Sequence, residues 1–371
     1  MKKIVVFTLL TMLYASCTNH NDLEVVNFEG ALTQNTKISI ANFVADSKFI
    51  PLQTDSSCLI SNIGKIVAAD HYFFILDSES FLYIFNRNGE FIRTIGIKGK
   101  GPNEYTYLSD FAVDPVSKTI FLNGNKGIQL FGFNGNYQKQ ISNNGASQVL
   151  FYGGKLLMAM PDKAVSEKTK DAILVLNKNG SIGKRFKTYH TRETGFDFEF
   201  SLLYQANYLT YYKEELGDTL FSIDKAFNKR ADKVLNLGKF KIPKNKYDFD
   251  FVDSWNDYYR FVDVFDLPAF SIYKIQNGVV GDIDYVFHNK KAAQLTKISK
   301  NKSHEIELYL DENLSIPFIP AYTYGNHLIG YIYSYNFLKI KEKSKIPDQS
   351  IISTGEIKID DNPILLDIKL K

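Results

Sequence analysis

The chain has 371 residues, with 44 lysines and arginines against 41 aspartates and glutamates, so its formal net charge is only +3. The basic residues are scattered singly and form no stripe of the kind that binds a phosphate backbone, which argues against nucleic acid as a partner. The cysteines, Cys17 and Cys58, provide no disulfide framework, so stability must come from the burial of apolar side chains. The length fits one large all-β domain.

The first 16 residues have the order of a secretory signal peptide. Lys2 and Lys3 precede an apolar run at 4–14, and small residues follow at 15–16. This run is too short to span a membrane as a helix, which needs about 20 residues. We therefore predict that residues 1–16 are removed, which leaves 42 of the 44 basic residues against the 41 acidic ones.

The segment Leu13-Tyr-Ala-Ser-Cys17 resembles a bacterial lipobox, in which the cysteine becomes the lipidated first residue of the mature chain. It departs from that pattern because Leu13 lies one place early. The alternative is an ordinary cleavage site beside an accidental cysteine, but Tyr14 is too bulky for the third position before such a cut. We expect anchoring through Cys17 in a bacterial cell envelope, at the outer membrane, with residues 17–36 as a polar, mobile tether.

One sequence pattern recurs along the chain every 45 or 46 residues. Its copies are Phe85–Arg93, Phe131–Lys139, Leu176–Lys184 and a weaker one at Phe221–Lys225. The first three copies join two alternating apolar runs across Asn-Gly, the dipeptide that most readily supplies a two-residue hairpin turn. A period of about 40 to 50 residues built of short strands indicates a β-propeller of four-stranded blades.

The two ends of residues 37–371 predict how such a ring closes. After Tyr335 only one good strand remains, at 364–370, so the sixth blade lacks a fourth strand of its own. Residues 48–53 precede the first complete blade and have no local hairpin partner. We predict that they pair beside 364–370 as the outermost strand, an edge position that also accommodates Pro51. The expected fold is an all-β, six-bladed propeller closed by its N-terminal strand.

A glycine-rich segment joins the first two blades. It reads Gly96-Ile-Lys-Gly-Lys-Gly-Pro-Asn-Glu-Tyr105 and leads to Asp110-Phe-Ala-Val-Asp114. These motifs resemble the six-bladed propeller lipoproteins related to NHL-repeat proteins, and the resemblance covers roughly residues 37–371. It departs in the fourth repeat, where Asp224-Lys225 replaces Asn-Gly, and in the fifth, which an insertion displaces. The resemblance implies a fold and no activity, because those proteins mostly lack an assigned biochemical role.

That insertion, at 247–268, predicts one helix near 248–266. Its aromatic residues recur at steps of three and four, which places them on one helical face, and Pro268 can end the helix. Trp255 and Tyr259 on this face are candidate ligand-binding residues. The alternative is that the apolar face packs on the propeller.

Three tyrosines near the end of the chain share one strand face by their spacing of two. They are Tyr331, Tyr333 and Tyr335. Two interpretations stay open, because such a row can pack between blades or form a platform on which a sugar stacks.

The sequence carries no strong local signal for catalysis. Gly96, Gly99 and Gly101 precede a strand rather than a helix, so they do not form a phosphate-binding loop. The histidines are dispersed without the spacing of a zinc site. Some oxygen-bearing residues could suit calcium, since related propellers include calcium-dependent hydrolases and lyases, but turns and strand ends explain them equally well. They are Asp77, Asp110, Asp114, Asn123 and Asp218.

We expect a non-enzymatic binding or scaffold protein that presents one face to a protein or glycan partner. The alternative is a calcium-dependent envelope hydrolase or lyase with its site at the tunnel mouth, and calcium is the one cofactor that the sequence leaves open. The expected binding face bears the crossing at 98–107. Its best candidate residues are Lys100, Asn103, Glu104 and Tyr105, because a short turn alone does not require a charged pair and an aromatic ring.

Overall fold

The computed structural model of the protein describes residues 23–161, 170–188, 201–243, 255–278, 281–313, 315–343 and 356–371. Within these ranges the strands form six four-stranded antiparallel blades around a ring, which confirms the predicted propeller. Further strands of the N-terminal segment pair at the outer edges of two blades.

The N-terminal segment contains β1 (Glu24–Asn27), β2 (Asn35–Thr36), β3 (Ile38–Ser39) and β4 (Val44–Pro51). Blade one contains β5 (Ile63–Ala69), β6 (Tyr72–Asp77), β7 (Leu82–Asn86) and β8 (Phe91–Ile95). Blade two contains β9 (Leu108–Asp114), β10 (Thr119–Gly124), β11 (Gly127–Gly132) and β12 (Tyr137–Ile141). Blade three contains β13 (Gln148–Tyr152), β14 (Lys155–Ala159), β15 (Asp171–Leu176) and β16 (Ile182–Lys187).

Blade four contains β17 (Leu202–Ala206), β18 (Leu209–Lys213), β19 (Thr219–Ile223) and β20 (Lys229–Asn236). Blade five contains β21 (Tyr259–Asp266), β22 (Phe270–Asn277), β23 (Ile283–Asn289) and β24 (Gln294–Ile298), and β25 (Leu308–Tyr309) follows it. Blade six contains β26 (Ile319–Tyr324), β27 (His327–Ile332), β28 (Ile364–Leu370) and β4. The α-helix of the described chain is α1 (Ser334–Lys343), and short 3₁₀ turns lie at Ala31–Thr33, Ala41–Phe43 and Gly238–Phe240.

The direction of the strands gives the ring two different ends. The first strand of each blade is innermost, and its neighbours alternate in direction. The hairpins between first and second strands and between third and fourth strands therefore lie at one end, which we call the hairpin face. The connections between second and third strands, and the crossings from blade to blade, lie at the opposite end, which we call the crossing face.

The Asn-Gly hairpins form as predicted. Gly89, Gly135 and Gly180 have φ angles of 84°, 83° and 93°, in the left-handed region that a glycine adopts without strain. A Cβ atom on Gly89 would also clash with the carbonyl oxygen of Pro51 in β4. In the fourth copy Phe227 takes the positive φ of 60°, and the Asp224 carboxylate stabilises the turn by accepting the backbone N–H groups of Ala226 and Asn228.

The two ends of the chain close the ring as predicted. β28 lies between β27 and β4, and β4 is the outermost strand of blade six. The antiparallel register aligns Ile50 with Leu365 and places Pro51 opposite Ile364, at the end of the pairing. Ile50 and Leu365 are both buried between blades six and one.

The structure corrects the expectation of a tether at 17–36 for the part that it describes. β1 runs parallel to β20 as a fifth strand of blade four, and β2 pairs with β24 of blade five. Phe28 is fully buried, with its ring 5.0 Å from that of Phe261 and 4.9 Å from that of Tyr273. Such edge pairing relies on the backbone and a few apolar anchors, so it leaves little periodic signal in the sequence.

The predicted helix near 248–266 is wrong where the structure describes it. Residues 259–266 form the innermost strand β21, and the helix α1 instead lies in blade six. A β-bulge between Phe261 and Asp263 shifts the register, so Tyr259, Phe261 and Val264 all pack in one interblade cluster. The extra residue of the bulge puts two core residues three positions apart, which imitates helical spacing. Residues 244–254 lie outside the described ranges.

Candidate binding site

A cavity of about 350 Å³ opens between blades five and six on the crossing face. Its wall combines the start of β23, the segment between β24 and β26, and the end of β27 with the first turn of α1. Its volume is in the range of small-molecule sites, about 300 to 1,000 Å³. The aromatic lining residues are Tyr285, Phe318, Tyr331, Tyr333 and Tyr335. We call this cavity the tyrosine pocket.

The three tyrosines singled out by the sequence form a continuous row in this pocket. The ring of Tyr333 lies 5.6 Å from that of Tyr331, nearly perpendicular to it, and 5.7 Å from that of Tyr335, almost parallel at 13°. Tyr331 belongs to β27, whereas Tyr335 lies in the first turn of α1, so the row does not follow a single strand as expected. Tyr331 is 8% exposed and Tyr335 is 39% exposed. The row therefore runs from the core to an open aromatic surface.

Polar side chains border the same pocket. Glu305 is held in place by the side-chain amides of Asn336 and Asn301, each of which donates to one carboxylate oxygen at 2.7 Å. Lys300 lies 3.4 Å from Asp282 and 3.1 Å from Asp284. An apolar floor with a few fixed polar groups is the arrangement that orients a small ligand.

Tyr259 belongs to a polar network behind this wall. Its hydroxyl donates to Asp284 at 3.2 Å, and Lys297 donates to the Tyr259 hydroxyl at 3.1 Å. Burial acts to raise the pKa of Asp284, but hydrogen bonds and charge from Lys297 and Lys300 outweigh it and hold the pKa below its usual value. The network keeps Asp284 ionised and fixes Lys300, which reaches the pocket.

The phenols of Tyr285, Tyr331 and Tyr335 stay neutral at physiological pH. Burial raises the pKa values of Tyr285 and Tyr331 well above the ordinary value and raises that of Tyr335 as well. A neutral phenol keeps both its apolar ring face and a hydroxyl that can donate or accept a hydrogen bond.

The predicted residues of the crossing lie on the same face of the ring, beside blades one and two. The Glu104 carboxylate accepts the backbone N–H of Gly101 at 2.6 Å, and Asn103 takes a positive φ of 60°. Tyr105 is 1% exposed, and its ring packs closely on Gly96. Lys100 is exposed. These contacts give Glu104 and Tyr105 a place in the fold, and ligand binding by the four residues stays a prediction.

Trp255 and Tyr259, the two candidates from the predicted helix, do not lie together at one surface. Trp255 is fully buried with Leu216 and Ile242, in a cluster separate from that of Tyr259. Cys17 lies outside the described residues. Tyr259 contacts the network that supports the tyrosine pocket.

Sequence reasoning found the tyrosine row but missed its polar partners. Glu305, Lys300 and Asn336 come from segments without periodic pattern, and the packing of blade five against blade six brings them beside Tyr333. One signal could have located the site. All these residues lie in the segments that connect strands or blades on the crossing face.

The described residues show no metal cluster and no membrane span. No three side chains of histidine, cysteine, aspartate or glutamate there lie close enough to share a metal ion. Three of the predicted oxygen ligands contact cations instead, Asp110 with Lys65 at 2.6 Å, Asp218 with Lys241 at 2.5 Å and Asp114 with Lys178 at 3.5 Å. No helix in these ranges is both long and apolar enough to cross a membrane.

Comparison with known proteins places the chain in a family. A protein from Bacteroides fragilis described as exported is 16% identical, with a TM-score of 0.64 over 94% of this chain and 99% of that one. A DUF4221 family member from Bacteroides vulgatus is 9% identical, with a TM-score of 0.50 over 88% of this chain and 97% of that one. These similarities show the fold alone, and no curated protein matches the chain. Residues 23–369 match a family described as a domain of unknown function, so the chain belongs to the DUF4934 family.

Proposed function

We propose that the protein is a non-enzymatic binding protein of the bacterial cell envelope and that its ligand is a carbohydrate held in the tyrosine pocket. The observation that carries this proposal is the stacked pair of Tyr333 and Tyr335 at the open side of the cavity. The C–H groups on one face of a sugar ring pack well against the face of a phenol, as apolar groups do on aromatic rings. A protein partner fits the tyrosine pocket less well than a sugar does, because the pocket is concave and small.

The polar border supports the choice of a sugar over a purely apolar ligand. Glu305 and Asp282 can accept hydrogen bonds from sugar hydroxyls, and Lys300 and Asn336 can donate them. Glu305 already has a fixed position because two amides hold it. A site with fixed partners loses little conformational entropy when it binds a ligand.

We also propose export and lipid anchoring through Cys17 at the outer membrane, within a family of propeller lipoproteins related to NHL-repeat proteins. The signal-like residues 1–16 and the lipobox-like segment support this location, and a protein of similar fold is described as exported. Mass spectrometry of the mature chain tests the anchor directly. A mature chain that starts elsewhere, without acyl mass on Cys17, would contradict it.

The experiment for the ligand is an oligosaccharide array probed with the wild type, Tyr335→Ala and Tyr208→Ala, followed by calorimetry on the best ligand. Tyr208 is a matched control because it is 82% exposed on the hairpin face, away from the pocket. We expect Tyr335→Ala to weaken binding about tenfold through loss of the stacking surface, and Tyr208→Ala to leave it unchanged.

Two results would count against the proposal. The first is an array without any bound oligosaccharide, and the second is equal affinity of the wild type and Tyr335→Ala. Recovery of a cleaved ligand, with cleavage dependent on calcium, would support the hydrolase or lyase alternative instead.

A further inference from the structure

We propose that the hairpin face of blades three and four is a surface that binds anionic lipid headgroups. The surface consists of Lys155, Lys184 and Lys225 together with Tyr208, and we call it the lysine surface. It lies at the opposite end of the ring from the tyrosine pocket.

Contacts between neighbouring hairpins of blades three and four bring these lysines together. The Nζ atom of Lys184 donates to the carbonyl oxygen of Phe227, and that of Lys155 lies 5.2 Å from the centre of the Phe227 ring. The Nζ atom of Lys225 lies 5.9 Å from the centre of the Tyr208 ring. The three charges therefore surround one hairpin of blade four.

These positive charges are not neutralised by ion pairs. In the described part of the chain, no carboxylate oxygen lies within 4.0 Å of the three ammonium groups. The carboxylate of the same hairpin, Asp224, accepts the N–H groups of its own turn, and those hydrogen bonds, together with the charge of Lys184, hold its pKa below the usual value. Lys184 and Lys225 are exposed, so their charges are available to an anionic partner.

Tyr208 has an exposed ring on a backbone that favours glycine. It is 82% exposed and has a φ of 62°, beside Asn207 at 49°. The equivalent hairpin of blade three uses Gly153 and Gly154 at this turn. An exposed tyrosine retained in a costly conformation points to a function. Tyrosine is enriched where proteins meet the interface between membrane and water.

The path of the chain favours a lipid surface over a soluble anionic partner, and this step rests on the proposed anchor at Cys17. β1 runs parallel to β20, so the chain enters blade four from the hairpin face. Leu23 lies six positions after Cys17, and six residue steps at full extension span at most about 22 Å. Glu24 pairs with Lys233, four positions from the hairpin end of β20, a distance of roughly 13 Å. An anchored Cys17 thus keeps the lysine surface close to the membrane, and the tyrosine pocket then opens away from it.

The test is sedimentation with vesicles of phosphatidylcholine alone or with phosphatidylglycerol added, at low salt. The chain beginning at Thr18 is used, since it cannot be acylated on Cys17 and keeps every described residue of the fold. We expect binding only to the anionic vesicles. Changing Lys155, Lys184 and Lys225 to Gln should weaken it at least tenfold, because each lysine near an anionic membrane contributes about fivefold.

The matched control changes Lys239, Lys302 and Lys341 to Gln, which removes the same charge from exposed positions of the crossing face. It should bind as the wild type does, whereas Tyr208→Ser should weaken binding a few-fold without any change in charge. Equal binding to both vesicle types, or equal loss in the two triple variants, would overturn the proposal. If Cys17 proves unacylated while the lysine surface still binds anionic vesicles, the proposed lipid anchor is wrong and the proposed lipid-binding surface is retained.

Discussion

Glu104 and Tyr105 occupy adjacent positions in the crossing between blades one and two but are stabilised by different contacts. The Glu104 carboxylate accepts a backbone N–H within its own turn, whereas Tyr105 is held by apolar packing against Gly96 and its neighbours. The Tyr105 hydroxyl has no hydrogen-bond partner in the described structure. The phenol oxygen therefore costs free energy where it lies.

We predict that Tyr105→Phe raises the free energy of unfolding by about 1 kcal/mol, because it removes a buried oxygen that lacks a partner. The matched control is Tyr152→Phe, since the Tyr152 hydroxyl donates to the carbonyl oxygen of Tyr208 at 2.5 Å. Its loss should lower the free energy by about the same amount. Urea unfolding measures both. A Tyr105→Phe protein less stable than the wild type would show that an ordered water satisfies the hydroxyl.

In the crossing, the sequence indicates which residues matter but does not predict which groups they contact. The glycines of the crossing allow a tight path between blades, and Gly96 does so with a φ of 75°. The charged pair and the tyrosine were read as a surface, but Tyr105 is buried. The direction of a side chain depends on the neighbouring blade, and that neighbour is not visible in the local sequence.

The short strand β1 belongs to the fold although its segment looks like a tether. It extends blade four by parallel pairing, and Phe28 follows it into a cluster with Phe261 and Tyr273. The parallel pairing of β1 with β20 joins residues about 200 positions apart, so no local sequence pattern predicts it. The bulge in β21 misled the sequence reading in a related way, because a single extra residue changed the period.

We predict that Phe28→Ala lowers the free energy of unfolding by about 3 to 5 kcal/mol, the usual cost of removing a fully buried phenylalanine side chain. Val25→Ala is the control within the same strand, because Val25 is 58% exposed and its truncation should cost less than about 1 kcal/mol. Thermal and urea unfolding measure both changes. Equal, small effects would show that the N-terminal segment does not pack on blades four and five.

The whole molecule depends on the joint between its two termini. The closure could be predicted from the sequence because the strands of blade six could be counted and one was missing. The two faces could not, because the lysines and the tyrosine row come together only when the hairpins and crossings are sorted to opposite ends. The charge pattern thus reflects topology rather than any run in the sequence.

We predict that Ile50→Ala lowers the free energy of unfolding by about 2 to 5 kcal/mol while the ring still unfolds in one transition. Ile50 is 2% exposed and pairs with Leu365 across the closing strands. Lys48→Ala is the control because Lys48 is exposed in the same strand. A separate early transition in the Ile50→Ala protein would mean that blade six opens independently of the other blades.

Amide hydrogen exchange, with and without the best oligosaccharide from the array, tests the central claim most directly because it maps the bound surface. The account predicts slower exchange at 304–306 and 331–336, the segments that contribute to the lining of the tyrosine pocket, and no change at 224–228 on the hairpin face. Protection confined to the crossing at 98–107 would contradict it and support Lys100, Asn103, Glu104 and Tyr105 as the site.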